Sequence, residues 1–160
     1  REVERLMVVD CDLHQGNGTA RICADDTRIF TFSIHQERNY PPKEQSDRDV
    51  GLPDHCSGEA YLDELRTHLL PDMDEFEPEM VLYVAGADPY RGDVLGGLDL
   101  SFEDLERRDR LVIDACRERG IPAGVVLAGG YAEELSDTVE VHYRTARVLL
   151  GEPVGAGDES

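Results

Sequence analysis

Three short apolar runs punctuate the chain. Leu6-Met7-Val8-Val9, Val81-Leu82-Tyr83-Val84-Ala85 and Ala123-Gly124-Val125-Val126-Leu127-Ala128 lack the polar alternation of a half-wet strand, so they predict strands buried on both faces. Residues 28–34, Arg-Ile-Phe-Thr-Phe-Ser-Ile, alternate apolar with small or polar positions and predict a fourth strand. Between these runs the spacing becomes helical. A short helix is expected over 18–24. Ser57 caps another over about 58–70, with Ala60, Leu62, Leu65 and Leu69 near one side and Pro71 as its stop. Ser101 with Asp104 three residues on makes a capping-box-like start to a helix through Arg119, ended by Gly120 and Pro122. A last helix starts at Asp137 or Thr138 and runs through Leu150. Residues 35–54, charged and holding Tyr40-Pro41-Pro42, are expected to form a long irregular loop of the kind that is functional or mobile. Residues 72–79 are expected to be an acidic surface connection.

Strands and helices alternating in this order predict an α/β fold, a parallel sheet joined by right-handed crossovers with helices on both faces. No internal repeat is visible, and the absence of a Gly-x-Gly-x-x-Gly loop argues against nucleotide binding. At 160 residues the chain is long enough for one ordinary core, with 1–150 as the domain and the Gly- and acid-rich 151–160 as a flexible tail.

Charge narrows the partners. A formal charge of -19 leaves no basic stripe for nucleic acid or an anionic membrane. The basic residues are 15 Arg and one lysine, Lys43. An acidic exterior suits cationic substrates such as polyamines or basic peptides, although solvated helix faces account for most of it. Cys11, Cys23, Cys56 and Cys116 show no paired spacing and read as free thiols of a reducing compartment. No run approaches transmembrane length and residues 1–5 have no targeting character, so a cytoplasmic location is the default expectation.

The chemistry gathers where the strands end. Asp10-Cys11-Asp12-Leu13-His14-Gln15-Gly16-Asn17-Gly18-Thr19 follows the first strand, and alternation sends Asp10, Asp12 and His14 to one side and Cys11 to the other. The strand at 81–85 leads to Gly86-Ala87-Asp88-Pro89, and that at 123–128 to Gly129-Gly130-Tyr131. Ligands of open parallel sheets bind at the carboxyl ends of strands, which lets these three ends share one crevice. Asp12, His14 and Asp88 offer one imidazole and two carboxylates, a set suited to a divalent metal with positions left open. A polar strand end, for Asp12 and His14, and an aromatic lid on the sheet edge, for Tyr131, are the blander readings of the same residues.

Asp12-Leu13-His14-Gln15-Gly16-Asn17-Gly18-Thr19, together with residues 85–98 (Ala-Gly-Ala-Asp-Pro-Tyr-Arg-Gly-Asp-Val-Leu-Gly-Gly-Leu), resembles the zinc-dependent histone deacetylases of the arginase/deacetylase fold, most of all class IV and related bacterial enzymes. The resemblance runs in order from about Val8 to Leu149 and corresponds to the carboxyl-terminal part of the family's catalytic domain, leaving the sheet incomplete on its amino-terminal side. It implies hydrolysis of an N-acyl amide of acetyl-lysine or acetylpolyamine type, with Zn²⁺ held by Asp12, His14 and Asp88. It further implies that Tyr131 stabilises the oxyanion and that Asp10 and Asn17 hydrogen-bond a His-His pair which acts as general base. It also places Tyr40, Gly129 and Gly130 along the acyl channel, and K⁺ on Asp10, Asp12, His14, Ser33 and Ile34. The Pro42-Lys43 step departs from the family's glycine-rich continuation. The His-His pair belongs upstream of Asp12, and His35, His55, His68 and His142 stand in the wrong places to replace it. His35 is expected in a loop or on the surface.

Two other functions share these residues. An arginase-like ureohydrolase with two Mn²⁺ ions needs further carboxylates, for which Asp93 is a candidate. A half-domain that binds metal, acyl-lysine or a partner protein without turnover fits the missing base. This stretch fixes neither acyl length nor oligomeric state.

Overall fold

The computed structural model describes residues 3–152. The element order is β1 (Leu6–Asp10), α1 (Asn17–Cys23), β2 (Ile29–Gln36), β3 (Arg48–Leu52), α2 (Gly58–Phe76), β4 (Met80–Gly86), α3 (Phe102–Glu118), β5 (Ala123–Ala128) and α4 (Leu135–Leu149). The five strands form one parallel sheet in the order β3-β2-β1-β4-β5. The chain thus winds outward from β1 in both directions. Right-handed crossovers put α1 on one face and α2 and α3 on the other.

The core lies on the α2/α3 face. Met7, Val9 and Cys11 of the β1 segment and Val81, Tyr83 and Ala85 of β4 point there, all fully buried, against Tyr61, Leu65 and Leu69 of α2 and Val112 and Cys116 of α3. Cys11 is core, as alternation predicts, and all four cysteines are free. The edge strand β5 is thinly covered, with Val126 and Leu127 about half exposed, and Leu135, Val139 and Tyr143 of α4 are exposed as well.

Local chemistry explains the starts of the two long helices α2 and α3. Ser101 and Asp104 form a reciprocal capping box on α3, and Ser57 caps α2 through the Ala60 amide. Four expectations fail. Residues 48–52 are not loop but an edge strand, paired in register with residues 32–36 of β2. Helix α2 does not stop at Pro71; it continues to Phe76. Pro71 lacks only a donor, and the turn beyond it is anchored because Met73 enters the core and the buried Asp72 takes both ends of the Arg48 guanidinium at 2.8 Å. Residues 72–76 are therefore no surface connection. His35 sits inside β2 and is buried, with Nδ1 3.1 Å from Ser33 Oγ. Burial first, then the Lys43 charge, hold it below the usual imidazole range, so it is a neutral core residue. From residue 153 on, the expected tail lies outside the described residues. Among the described residues no helix is long and apolar enough to cross a membrane.

Candidate metal centre

β1 and β4 are neighbours in register, Asp10 opposite Val84, so the loops that leave their carboxyl ends begin side by side. Glycine allows the approach. A Cβ on Gly86 would stand 2.5 Å from the Asp12 Cα, closer than any side chain tolerates, and the two strand ends therefore meet backbone to backbone.

Asp12, His14 and Asp88 converge there. Their ligand atoms lie within 4.8 Å of one another, the one such group among the described residues. His14 Nδ1 is 3.1 Å from Asp12 Oδ1 and 3.0 Å from Asp88 Oδ2. Backbone amides aim the carboxylates: Leu13 N–H donates to Asp88 Oδ1 at 2.9 Å, His14 N–H to Asp12 Oδ1 at 2.9 Å, and Asp12 N–H to Asp10 Oδ1 at 3.0 Å. Asp88 is fully buried, whereas Asp12 and His14 keep partial access to solvent. Burial first, and the Asp12 charge second, push the Asp88 carboxyl up to about 7. Burial pushes Asp10 up to about 7 as well, against the Asp12 amide that favours its charged form. Carboxylates crowded together with so little water take up either a proton or a cation. Two acids and an imidazole at this spacing are a hard and borderline donor set that fits Zn²⁺ and leaves room for a further ligand.

The third strand end closes over the second. Gly129 has φ +57°, and a Cβ on it would lie 2.5 Å from the Asp88 Cγ. Gly130 and Tyr131 follow. The Tyr131 side chain is half exposed, and its amide donates to Asp93 Oδ2 at 2.6 Å. Tyr40, 74% exposed, presents its ring edge-on to His14 with centroids 6.4 Å apart. Ser33 is the register partner of Asp10, and its Oγ accepts the Gly16 amide at 3.3 Å; Ser33 and Ile34 are both buried beneath the strand end. Asn17 heads α1, and its side chain has no hydrogen-bond partner among the described residues.

Not every candidate belongs here. Asp93 spends Oδ1 on the Leu95 and Gly96 amides at 2.8 and 3.1 Å and Oδ2 on Tyr131, so it shapes two loops and is not a further ligand. His55 lies in the turn after β3, and the His68 ring sits beside Glu64 on α2; neither joins the centre. Two contributors escape a reading by motif. Gln15 reaches across to the Glu44 backbone and Asp49, pinning the 37–47 loop beside the centre. Arg108 and Asp109 are a buried ion pair of α3 beneath the two strand ends. Their signal was position: Leu105, Arg108, Val112 and Cys116 share one helical stripe, which puts a charge where the pattern calls for an apolar residue.

Comparison with known proteins places this geometry. An uncharacterized protein of Picosynechococcus sp. (strain PCC 7002) is 43% identical over 148 residues, a match covering 90% of this chain and 49% of that protein. Histone deacetylase 2 of Arabidopsis thaliana is 32% identical over 146 residues, covering 86% of this chain and 38% of that one. The crystal structure of the HDA15 HD domain superposes with a TM-score of 0.78 at 27% identity, over 94% of this chain and 46% of that one. The chain thus spans about half or less of the length of these relatives. Residues 1–146 match the histone deacetylase domain, and the chain therefore belongs to the histone deacetylase domain family.

Proposed function

We propose that this chain forms the metal-holding part of a zinc-dependent hydrolase of N-acyl amides, acting on substrates of acetyl-lysine or acetylpolyamine type. The observation that carries the reading is the convergence of Asp12, His14 and Asp88 on one point at the strand ends of a histone deacetylase domain. Zn²⁺ held by these three would polarise the acyl carbonyl and bring the pKa of a bound water toward neutrality. The chain's own residues supply orientation and a proton. Tyr131, which follows the Gly129 that packs on Asp88, would direct its hydroxyl at the acyl oxygen as charge develops there; one such donor is worth on the order of a hundredfold in rate. Tyr40, Gly129 and Gly130 flank the approach of an extended acyl chain. In this reading Asp10, whose carboxylate holds the Asp12 amide, and Asn17 at the head of α1 would orient the His-His pair of a complete histone deacetylase domain. K⁺ beneath the strand end, on Asp10, Asp12, His14, Ser33 and Ile34, would neutralise part of the buried acid. A cytoplasmic location completes the reading.

One observation favours a second reading. Asp12, His14 and Asp88 assemble here, yet none of the other four histidines joins them, so a half-domain that binds metal or acyl-lysine without turnover fits the chain taken alone. An arginase-like two-metal centre has less support, since Asp93 is consumed by backbone amides. Zinc titration followed by deacetylation assays, with the upstream part of a histone deacetylase domain added in trans, separates all three. The proposal expects one zinc per chain and restored hydrolysis of an acetyl-lysine peptide. Zinc binding without rescue selects the binding module, two equivalents of metal select the ureohydrolase, and no zinc at all overturns the reading.

A further inference from the structure

Arg108 heads the large, fully buried side chains among the described residues. Its guanidinium lies across the gap between β1 and β4 on the core face. Nη1 donates to the Gly86 carbonyl at 2.6 Å and the Cys11 carbonyl at 3.2 Å, while Nε and Nη2 donate to Asp109 Oδ1 at 2.9 and 2.8 Å. Asp109 is held in turn by the hydroxyls of Tyr83 and Thr145. Every partner is buried and paired, so this is a finished network.

Its energetics pose a question. A buried ion pair is weak support for stability, because an apolar pair of similar volume does as well or better. Location supplies the answer. Cys11 immediately precedes Asp12, and Gly86 stands two residues before Asp88. The two carbonyls that Arg108 joins therefore belong to the two strand ends that deliver the metal-binding carboxylates. Parallel strands lose their mutual hydrogen bonds where they diverge into loops, and there the separation of Asp12 from Asp88 needs another fixture. A planar guanidinium spanning two carbonyls is stiff in the direction that matters, which a lysine ammonium is not.

We propose that Arg108 is a positioning residue for the metal centre. Its Nη1 clamps the Cys11 and Gly86 carbonyls and so sets the spacing between Asp12 with His14 on one strand end and Asp88 on the other, while Asp109 supplies the counter-charge and holds the guanidinium plane. The consequence for metal affinity rests on the proposed zinc centre; the clamp itself does not.

Amide hydrogen exchange of the metal-free chain, read at Leu13, tests the clamp directly, because the Leu13 amide is held by Asp88 Oδ1 across the same gap. Three variants are compared. R108K keeps the charge and loses the fork. R108M/D109L replaces the ion pair by apolar groups and is expected to remain folded. Thr145→Val removes one hydrogen bond to Asp109 and leaves the clamp intact, so it reports what general loosening of the network does. The clamp requires Leu13 to exchange about tenfold or more faster in R108K and R108M/D109L than in T145V, and zinc, titrated at a temperature where all are folded, to bind about 10- to 100-fold more weakly. If Leu13 exchange in the Arg108 variants merely follows their melting temperatures, as in T145V, the proposal is overturned. If Leu13 responds as stated while the unaltered chain binds no zinc, the clamp stands and the zinc reading falls.

Discussion

The carboxylate of Asp93 accepts the backbone N–H of Tyr131 at 2.6 Å, and its other oxygen accepts the amides of Leu95 and Gly96. One acid thus joins the loop after β5 to the loop after β4. In a completed domain Asp93→Ala is expected to lower kcat by about tenfold, on the order of what a slightly misplaced group costs, with zinc affinity unchanged. Steady-state kinetics beside zinc titration checks this. Equal loss of zinc binding would mean that Asp93 acts on the centre and not on Tyr131.

Asp88 and Tyr131 are expected to fail differently. Asp88 is the fully buried acid of the centre, so Asp88→Ala should abolish tight zinc binding. Tyr131→Phe removes only a hydroxyl at a half-exposed position and should keep the metal while losing turnover by on the order of a hundredfold in a completed domain. An unchanged rate for Tyr131→Phe would refute the oxyanion role.

Stability of the metal-free chain should fall as pH rises. Asp10 and Asp88 both stand at about 7 in the fold, above the ordinary 3.8 of an unfolded aspartate. Between those values the native state binds more protons than the unfolded chain, so unfolding becomes easier with rising pH until both acids are ionised. Thermal melts in a chelating buffer from pH 6.5 to pH 8 check the slope, because below that range His35 and His142, both held low by burial, contribute with the opposite sign. Zinc should reverse it, because a cation between Asp12, His14 and Asp88 favours the ionised acid, and its stabilising effect should be greatest above pH 7. A metal-free melting temperature that rises through this window would contradict the assigned environment of these acids.

Val126 and Leu127 leave apolar surface on an edge strand, and Leu135, Val139 and Tyr143 of α4 are exposed too. Such edges template association. The chain alone is expected to self-associate at micromolar concentration. Val126→Lys should reduce light scattering without lowering the melting temperature, since the side chain is 52% exposed already.

Where pattern and structure part company, the physical cause is nameable in each case. Residues 48–52 hold only two apolar residues around Gly51, and intrinsic preference for a strand is weak there; register pairing with β2 makes it one. Pro71 reads as a stop because the sequence shows its missing donor. It does not show that Arg48, on another element, grips Asp72 one residue later. His35 reads as a loop residue because β2 looks finished at Ile34, yet β3 extends the pairing to Gln36 and buries the imidazole.

The sequence by itself determined the parallel α/β architecture, since buried strands and amphipathic helices announce themselves by period, and it determined which residues could meet a metal, since alternation and strand-end position are local rules. Tertiary structure alone decided that Asp12, His14 and Asp88 lie within reach of one another, that Asp93 is spent on amides, and that Arg108 bridges the two strand ends. Those outcomes depend on register between strands some seventy residues apart in the chain and on a helix that arrives from elsewhere. Burial then assigns the carboxyl groups their charge, because the water a carboxylate can keep is set by what the whole fold packs around it.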